Sequence, residues 1–224
     1  MDLVIFDLDG TLVDSKLDLA HSVNAAREHF GLPALDVETI GDYVGNGAPK
    51  LVQRAMGAGK SKEEVQRALD YFLAHYAEHK LDNTRAYPGI PEALEQLHAG
   101  GVRMAVLTNK PVRVSGGIVE GLGLAKYFER VYGGNSFDKK KPDPVGVDTL
   151  LTEFGVAREH ALMVGDSSVD VRTAHNAGIR VCGVTYGFQP ESFEADPPDM
   201  IVSRPEELAR AVLAERKSRG IIRS

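Results

Sequence analysis

Residues 3–11 read LVIFDLDGT, from Leu3 to Thr11. Leu3–Leu8 is a short apolar run, partly β-branched, that passes into Asp9, Gly10 and Thr11. An apolar run of this length predicts a strand buried on both faces, as in a parallel sheet covered by helices. Asp7 and Asp9 stand at its C-terminal end. Open α/β sheets hold their ligands at that end.

The same grammar recurs. Val102–Leu107 runs into Thr108-Asn109, Ala161–Val164 runs into Gly165-Asp166, and Val181–Val184 follows Gly178. Arg130–Tyr132 and Met200–Val202 are shorter candidates. Between these runs, apolar residues recur at helical spacing and stop at glycine. Ile90, Leu94 and Leu97 precede Gly100-Gly101; Val147, Leu150, Leu151 and Phe154 precede Gly155; Val171 and Ala174 precede Gly178. Ser203 to Glu206 resembles a capping box opening a last helix, Pro205–Ala214. Strand–helix alternation predicts an α/β fold with a doubly wound parallel sheet.

Residues 16–82 break this rhythm and contain no strand pattern. Leu19, Val23, Ala26 and Phe30 form one helical stripe, and Leu51, Val52, Ala55 and Met56 a second. Ser61 and Glu64 match a capping box, followed by the stripe Val65, Leu69, Phe72 and Tyr76. The expected organisation is a catalytic core of residues 1–15 and 83–224, with residues 16–82 inserted as a helical cap over the strand ends.

The formal net charge of -6 gives no electrostatic reason to expect nucleic acid. An anionic substrate would need positive charge gathered locally, as a bound divalent cation provides. The single cysteine, Cys182, excludes an internal disulfide and reads as buried filler. The N-terminus MDLVIFDLDG lacks the basic region of a signal peptide. No apolar run approaches the roughly 18 residues of a membrane span. The expectation is a soluble, cytoplasmic protein, monomer or homodimer, with neither nucleic acid nor membrane as partner.

Four stations carry chemistry: Asp7-Leu8-Asp9-Gly10-Thr11, Thr108-Asn109-Lys110, Lys139-Lys140-Lys141-Pro142, and Gly165-Asp166 with Asp170. Residues two apart in a strand share a face, so Asp7 and Asp9 can converge. Carboxylates gathered together stay ionised only around a cation. All-oxygen ligation by few protein groups suits magnesium. A lysine with hydroxyl or amide donors then completes a cradle for a phosphoryl group.

With these motifs in this order, the chain resembles the haloacid dehalogenase superfamily in its phosphatase branch, over essentially its whole length. Within the branch it is most similar to bacterial phosphoglycolate phosphatases, through Tyr43–Ala48, Tyr87-Pro88-Gly89 and Leu107–Pro111. The resemblance implies a Rossmann-like core with a helical cap, and magnesium-dependent hydrolysis of a small phosphate monoester, 2-phosphoglycolate favoured, through a phospho-aspartate. It makes Asp7 the nucleophile and Asp9 the general acid–base. It assigns magnesium to the Asp7 carboxylate, the Asp9 backbone carbonyl and the Asp166 carboxylate, with Asp170 as ligand or close support. Thr108, Asn109 and Lys141 would bind the phosphoryl group.

Two other classes share parts of this pattern: a sugar phosphomutase of the same superfamily, and a phospho-accepting signalling module. The second needs no cap and about half the length. Dehalogenases and phosphonoacetaldehyde hydrolases lack an acid at the Asp9 position; the latter use a cap lysine, and Lys50 lies in the expected cap. Lys139 and Lys140 read as solvated surface, the seven histidines as surface or satisfied core residues, and Tyr71 and Tyr76 as packing. Lys50, Arg54 and Arg67 read as surface residues within reach of a substrate.

Overall fold

The computed structural model describes residues 1–220, with side chains as far as Ala214. Strand β1 (Leu3–Phe6) leads through the two-residue β2 (Val13–Asp14) into four helices: α1 (Lys16–His29), α2 (Val37–Asp42), α3 (Ala48–Met56) and α4 (Lys62–His79). The chain returns through β3 (Arg85–Ala86) and then alternates. In order come α5 (Ile90–Ala99), β4 (Arg103–Leu107), α6 (Val112–Gly121), β5 (Arg130–Tyr132), α7 (Val145–Phe154), β6 (Ala161–Gly165), α8 (Ser168–Asn176), β7 (Arg180–Val184), β8 (Met200–Val202) and α9 (Pro205–Gly220).

Six strands form one parallel sheet in the order β5-β4-β1-β6-β7-β8. The β1 side chains divide between two cores. Val4 and Phe6 join Ile90, Leu94, Ile118 and Leu208 on one face; Leu3 and Ile5 join Leu150, Val171 and Ala174 on the other. All four are fully buried. Burying a large apolar side chain stabilises by about 1.5–3 kcal/mol, which matches or exceeds the roughly 1–2 kcal/mol of backbone entropy lost per residue. The unbroken apolar run is therefore what this central position requires. From β1 the chain first builds outward through β4 and β5, then returns to build β6, β7 and β8 on the other side. That reversal beside β1 is the topological switch point where such sheets bind ligands.

The four helices α1–α4, between Lys16 and His79, pack on one another as a helical lobe. Leu19, Val23 and Ala26 of α1 share one buried cluster with Leu69, Phe72 and Tyr76 of α4. Arg27 is buried in it, its guanidinium donating to the carbonyls of Pro33 and Ala55. The Ser61 capping box forms as its sequence predicts: Ser61 Oγ accepts from the Glu64 N–H at 3.1 Å, and Glu64 Oε2 from the Ser61 N–H at 2.9 Å. The two connections to the lobe are themselves paired, β2 against β3, with Val13 opposite Ala86 and Asp14 opposite Arg85.

Some details differ from the sequence pattern. The side chain that takes the Ser203 N–H is Glu207, at 2.9 Å, one position beyond the expected Glu206. Helix α9 continues past Ala214 to Gly220. Helices α2 and α6 have no counterpart among the expected elements. His75 and His79 lie one turn apart on α4 and stack at 4.3 Å, with Ser22 bonded to the first and Asp82 to the second. Cys182 is a buried thiol in β7 that takes part in no disulfide. No helix of the described residues is long and apolar enough to cross a membrane.

Candidate active site

Phe6 of β1 pairs with Val106 of β4 and Val164 of β6. The residues that follow each strand, Asp7, Thr108 and Asp166, therefore emerge together at one sheet edge. Gly10 lets the β1 turn pass close over β6. Its φ is +78°, and a Cβ there would lie 2.1 Å from Asp166 Oδ2, so a side chain is excluded twice over.

Asp7, Asp166 and Asp170 each offer an oxygen within 4.8 Å of the others, and all three are buried. Lys141 is the cation among them. Its Nζ lies 2.6 Å from Asp170 Oδ1 and 2.9 Å from Asp7 Oδ1. The Asp7 contact is an ion pair without hydrogen-bond alignment, so Asp7 Oδ1 accepts no hydrogen bond from a described residue. Asp170 Oδ2 takes both the N–H and the O–H of Ser167. Asp166 is held by the Thr11 hydroxyl at 3.1 Å and the Phe188 N–H at 2.7 Å.

The electrostatics of this cluster are unbalanced. Burial pushes the Asp7 carboxyl up to about 6, against the pull of Lys141. Burial, and then the neighbouring Asp170 and Asp7, push Asp166 well above the carboxylate range. Burial disfavours the Lys141 charge, but Asp170 and Asp7 outweigh it and hold the ammonium firmly protonated. Lys141 offsets one of three negative charges; a divalent cation would offset the other two. A carboxylate oxygen without an aligned hydrogen bond and two destabilised anions on an all-oxygen donor set fit a hard divalent ion.

The Asp9 side chain points elsewhere. The Ser15 hydroxyl donates to Asp9 Oδ1 at 2.5 Å, and Lys110 Nζ lies 2.8 Å from both Asp9 oxygens. Thr108 Oγ1 accepts from the Lys110 N–H at 3.3 Å. The Asn109 amide donates to the carbonyls of Gly45 and Lys141, both at 3.0 Å. Asp7, Asp9, Thr108, Asn109 and Asp166 line one cleft; Lys141 and Asp170 lie behind it, against Asp7.

The helical lobe closes the cleft with Val44, Gly45, Leu51, Phe72 and Tyr76. Core side chains hold the 42–46 segment by its carbonyls: Asn109 on Gly45, Lys140 on Asn46 at 2.6 Å, and Gln189 on Asp42 and Val44 at 3.0 and 3.1 Å. Lys50 is exposed, bonded to Gln53 and absent from the lining, so nothing in its placement suits a Schiff base. Arg54 and Arg67 engage Tyr43 and Phe30 within the lobe.

Residues 4–184 match the model of the haloacid dehalogenase-like hydrolases. The chain belongs to that family. Among curated members, it is 40% identical over 217 residues to the phosphoglycolate phosphatase of Vibrio parahaemolyticus, covering 94% of this chain and 95% of that protein. It is 41% identical over 192 residues to phosphoglycolate phosphatase 1 of Pseudomonas aeruginosa, covering 83% and 70%. Among solved structures, that of a predicted phosphoglycolate phosphatase from Haemophilus somnus superposes with a TM-score of 0.90 at 34% identity, covering 94% and 97% of the two chains.

Within this hydrolase, the sequence motifs led to the acids and Lys141 but passed over four supports. Lys110 stands inside the second station with no role given; its charge in a stretch of short polar donors is the available signal. Thr11 stood inside the first motif with no role given. Ser15 looked like a linker residue. Tyr76 sits on an apolar stripe and gave no signal distinct from packing.

Proposed function

We propose that this hydrolase removes the phosphoryl group from a small phosphate monoester, with 2-phosphoglycolate the favoured substrate, by way of a phospho-aspartate on Asp7. The carrying observation is the state of Asp7: a buried carboxylate at the switch point whose Oδ1 lies 2.9 Å from the Lys141 ammonium and takes no aligned hydrogen bond from a described residue. The likeness to proteins named phosphoglycolate phosphatase supports the choice of substrate.

In this reading a carboxylate oxygen of Asp7 attacks phosphorus. Lys141 offsets the charge that would otherwise repel the two anions, and Asp170 with Ser167 fixes the Lys141 ammonium. The Thr108 hydroxyl binds a phosphoryl oxygen, and Asn109 ties this loop to the lobe. Asp9 donates a proton to the leaving alkoxide and then takes one from the water that cleaves the phospho-aspartate. Magnesium would be held by the Asp7 carboxylate, the Asp9 backbone carbonyl and the Asp166 carboxylate, with Asp170 close by, and when bound it supplies positive charge to the transferring phosphoryl group. Residues 16–82 act as a cap on the core of residues 1–15 and 83–224, excluding bulk water and large substrates.

The test is a panel of phosphate esters assayed with magnesium, comparing kcat/KM, together with rapid quench and mass spectrometry of the protein. A phosphoryl adduct on Asp7 and highest kcat/KM for a two- or three-carbon ester are expected. Faster hydrolysis of a phosphoprotein, or turnover without any protein adduct, would overturn the reading.

A further inference from the structure

A buried hydroxyl without a partner destabilises a fold unless a ligand completes it. Tyr76 of α4 is 2% exposed, and its hydroxyl makes no hydrogen bond to any described residue. The ring lies in the cleft that Asp7, Asp9 and Thr108 line. Phe72 stacks beside it at 5.5 Å, and Lys110 Nζ sits 4.6 Å from its centroid. Lys110 is itself buried, and the acid it contacts is Asp9.

Asp9 is the group the proposed chemistry sets beside the leaving oxygen. Lys110 and Tyr76 therefore flank the space left for the alcohol portion of the substrate. The Lys110 ammonium has three donors, of which Asp9 takes up to two, and the phenol hydroxyl has one, in surroundings from which water is largely excluded. An apolar alcohol portion would leave the hydroxyl unpaired and a neutral hydroxyl would accept weakly, whereas a carboxylate accepts strongly from both groups. Resting on the phosphatase reading above, we propose that the Tyr76 hydroxyl and the Lys110 ammonium form a subsite for a carboxylate on the alcohol portion of the substrate. Both are specificity-determining residues.

The experiment compares the full-length magnesium enzyme and its Tyr76→Phe variant on two esters of the same two-carbon backbone: 2-phosphoglycolate, and ethylene glycol monophosphate, in which a hydroxyl replaces the carboxylate. Wild type is expected to prefer the carboxylate ester. Tyr76→Phe should lose about tenfold or more in kcat/KM for that ester, mainly through KM, as expected for a hydrogen bond to a charged group, and clearly less for the neutral ester, so that the ratio of the two falls. The Tm of the free variant should equal or exceed that of wild type, since an unpaired hydroxyl has been removed. Lys110→Met should erase the preference as well. A variant that keeps the wild-type ratio, or lowers both esters equally, overturns the subsite alone. A wild type that is active without preference for the carboxylate overturns both the subsite and the phosphoglycolate assignment, and leaves the phosphatase chemistry standing. Inactivity of wild type on both esters overturns all three.

Discussion

Asp18 and Thr84, 66 residues apart, are joined by two hydrogen bonds of 2.7 Å, one from the Thr84 N–H and one from its hydroxyl. Asn83 adds its N–H to both Asp18 oxygens and its side-chain amide to one. Asp18 lies in the first turn of α1, just after the chain enters the lobe; Asn83 and Thr84 lie where the chain leaves it, next to the β2–β3 pair. One buried carboxylate thus clamps both ends of the inserted lobe.

Asp18→Ala should remove that clamp and leave buried N–H donors unpaired. A loss of about 2–4 kcal/mol in urea unfolding is expected. Burial by itself would raise the Asp18 carboxyl, but the hydrogen bonds from Thr84 and Asn83 outweigh it and hold it below the ordinary 3.8. A depressed folded-state pKa contributes stability above the unfolded value and loses it as pH falls through the folded value. The gap between wild type and variant should therefore be full at neutral pH and narrow below about pH 4. A gap that stays constant into acid would show that the ionised Asp18 does not hold the hinge.

The apolar runs marked β1, β4, β6 and β7 clearly because these central strands are buried along nearly their whole length, whereas the outer β5 and β8, exposed to half-buried over most of theirs, registered only as shorter candidates. The clamp was not legible, because an aspartate in a first helical turn looks like an ordinary helix-dipole residue. The two-residue β2 and β3 are too short for periodicity to register. Helix α2, six residues long, has the same difficulty. In α6, Gly116-Gly117 reads as a breaker, yet Val114, Ile118 and Val119 are buried together and tertiary packing decides. A Cβ at Gly121 would fall 2.3 Å from Leu81 Cδ1, so a larger residue there would make the Leu81 side chain shift. Lys110 and Tyr76 come from segments 34 positions apart in number but from different lobes, and only the fold brings them together.

Metal removal tests the three-acid cluster directly. Chelation should abolish turnover, and magnesium should restore it. Magnesium at about 100 times its Kd should add about 2.7 kcal/mol of stability through linkage. Asp166→Asn should lose most of that gain, read as the magnesium-induced rise in Tm. Calcium should inhibit, since it accepts more ligands and can take both Asp7 oxygens. Full activity in metal-free buffer would sink the cation reading.

The metal-free protein should be less stable at pH 7.5 than at pH 5, as far as Asp7 contributes. Its folded carboxyl, at about 6, lies above the ordinary 3.8, so between those values the native state holds a proton that the unfolded chain has lost. Stability then falls as pH rises through that window, by about 3 kcal/mol in all. Asp7→Asn removes the penalty. In chelator the variant should match or exceed wild-type Tm at pH 7.5, with the advantage shrinking toward pH 5, while its activity is lost. A variant less stable than wild type at pH 7.5 in chelator would refute the unbalanced charge assigned to Asp7.

Asp9→Asn separates the proton donor from the nucleophile. The Asp9 side chain faces Ser15 and Lys110, away from the three-acid cluster, and the ligand proposed there is a backbone carbonyl. Magnesium binding should therefore survive, as calorimetry would report. Turnover of an alkyl ester should fall by at least the roughly 10²–10⁴-fold of general acid–base catalysis. The fall should shrink for nitrophenyl phosphate, whose leaving group departs without a proton. Hydrolysis of the phospho-aspartate still needs a base, so the adduct on Asp7 should accumulate with that activated ester. The substitution also strips Lys110 of its counter-ion, which would slow every ester alike if Lys110 then shifted into the phosphoryl site. Single-turnover release of the alcohol distinguishes the two effects: a leaving-group-dependent loss assigns the proton to Asp9, and an equal loss for alkyl and nitrophenyl esters removes that assignment.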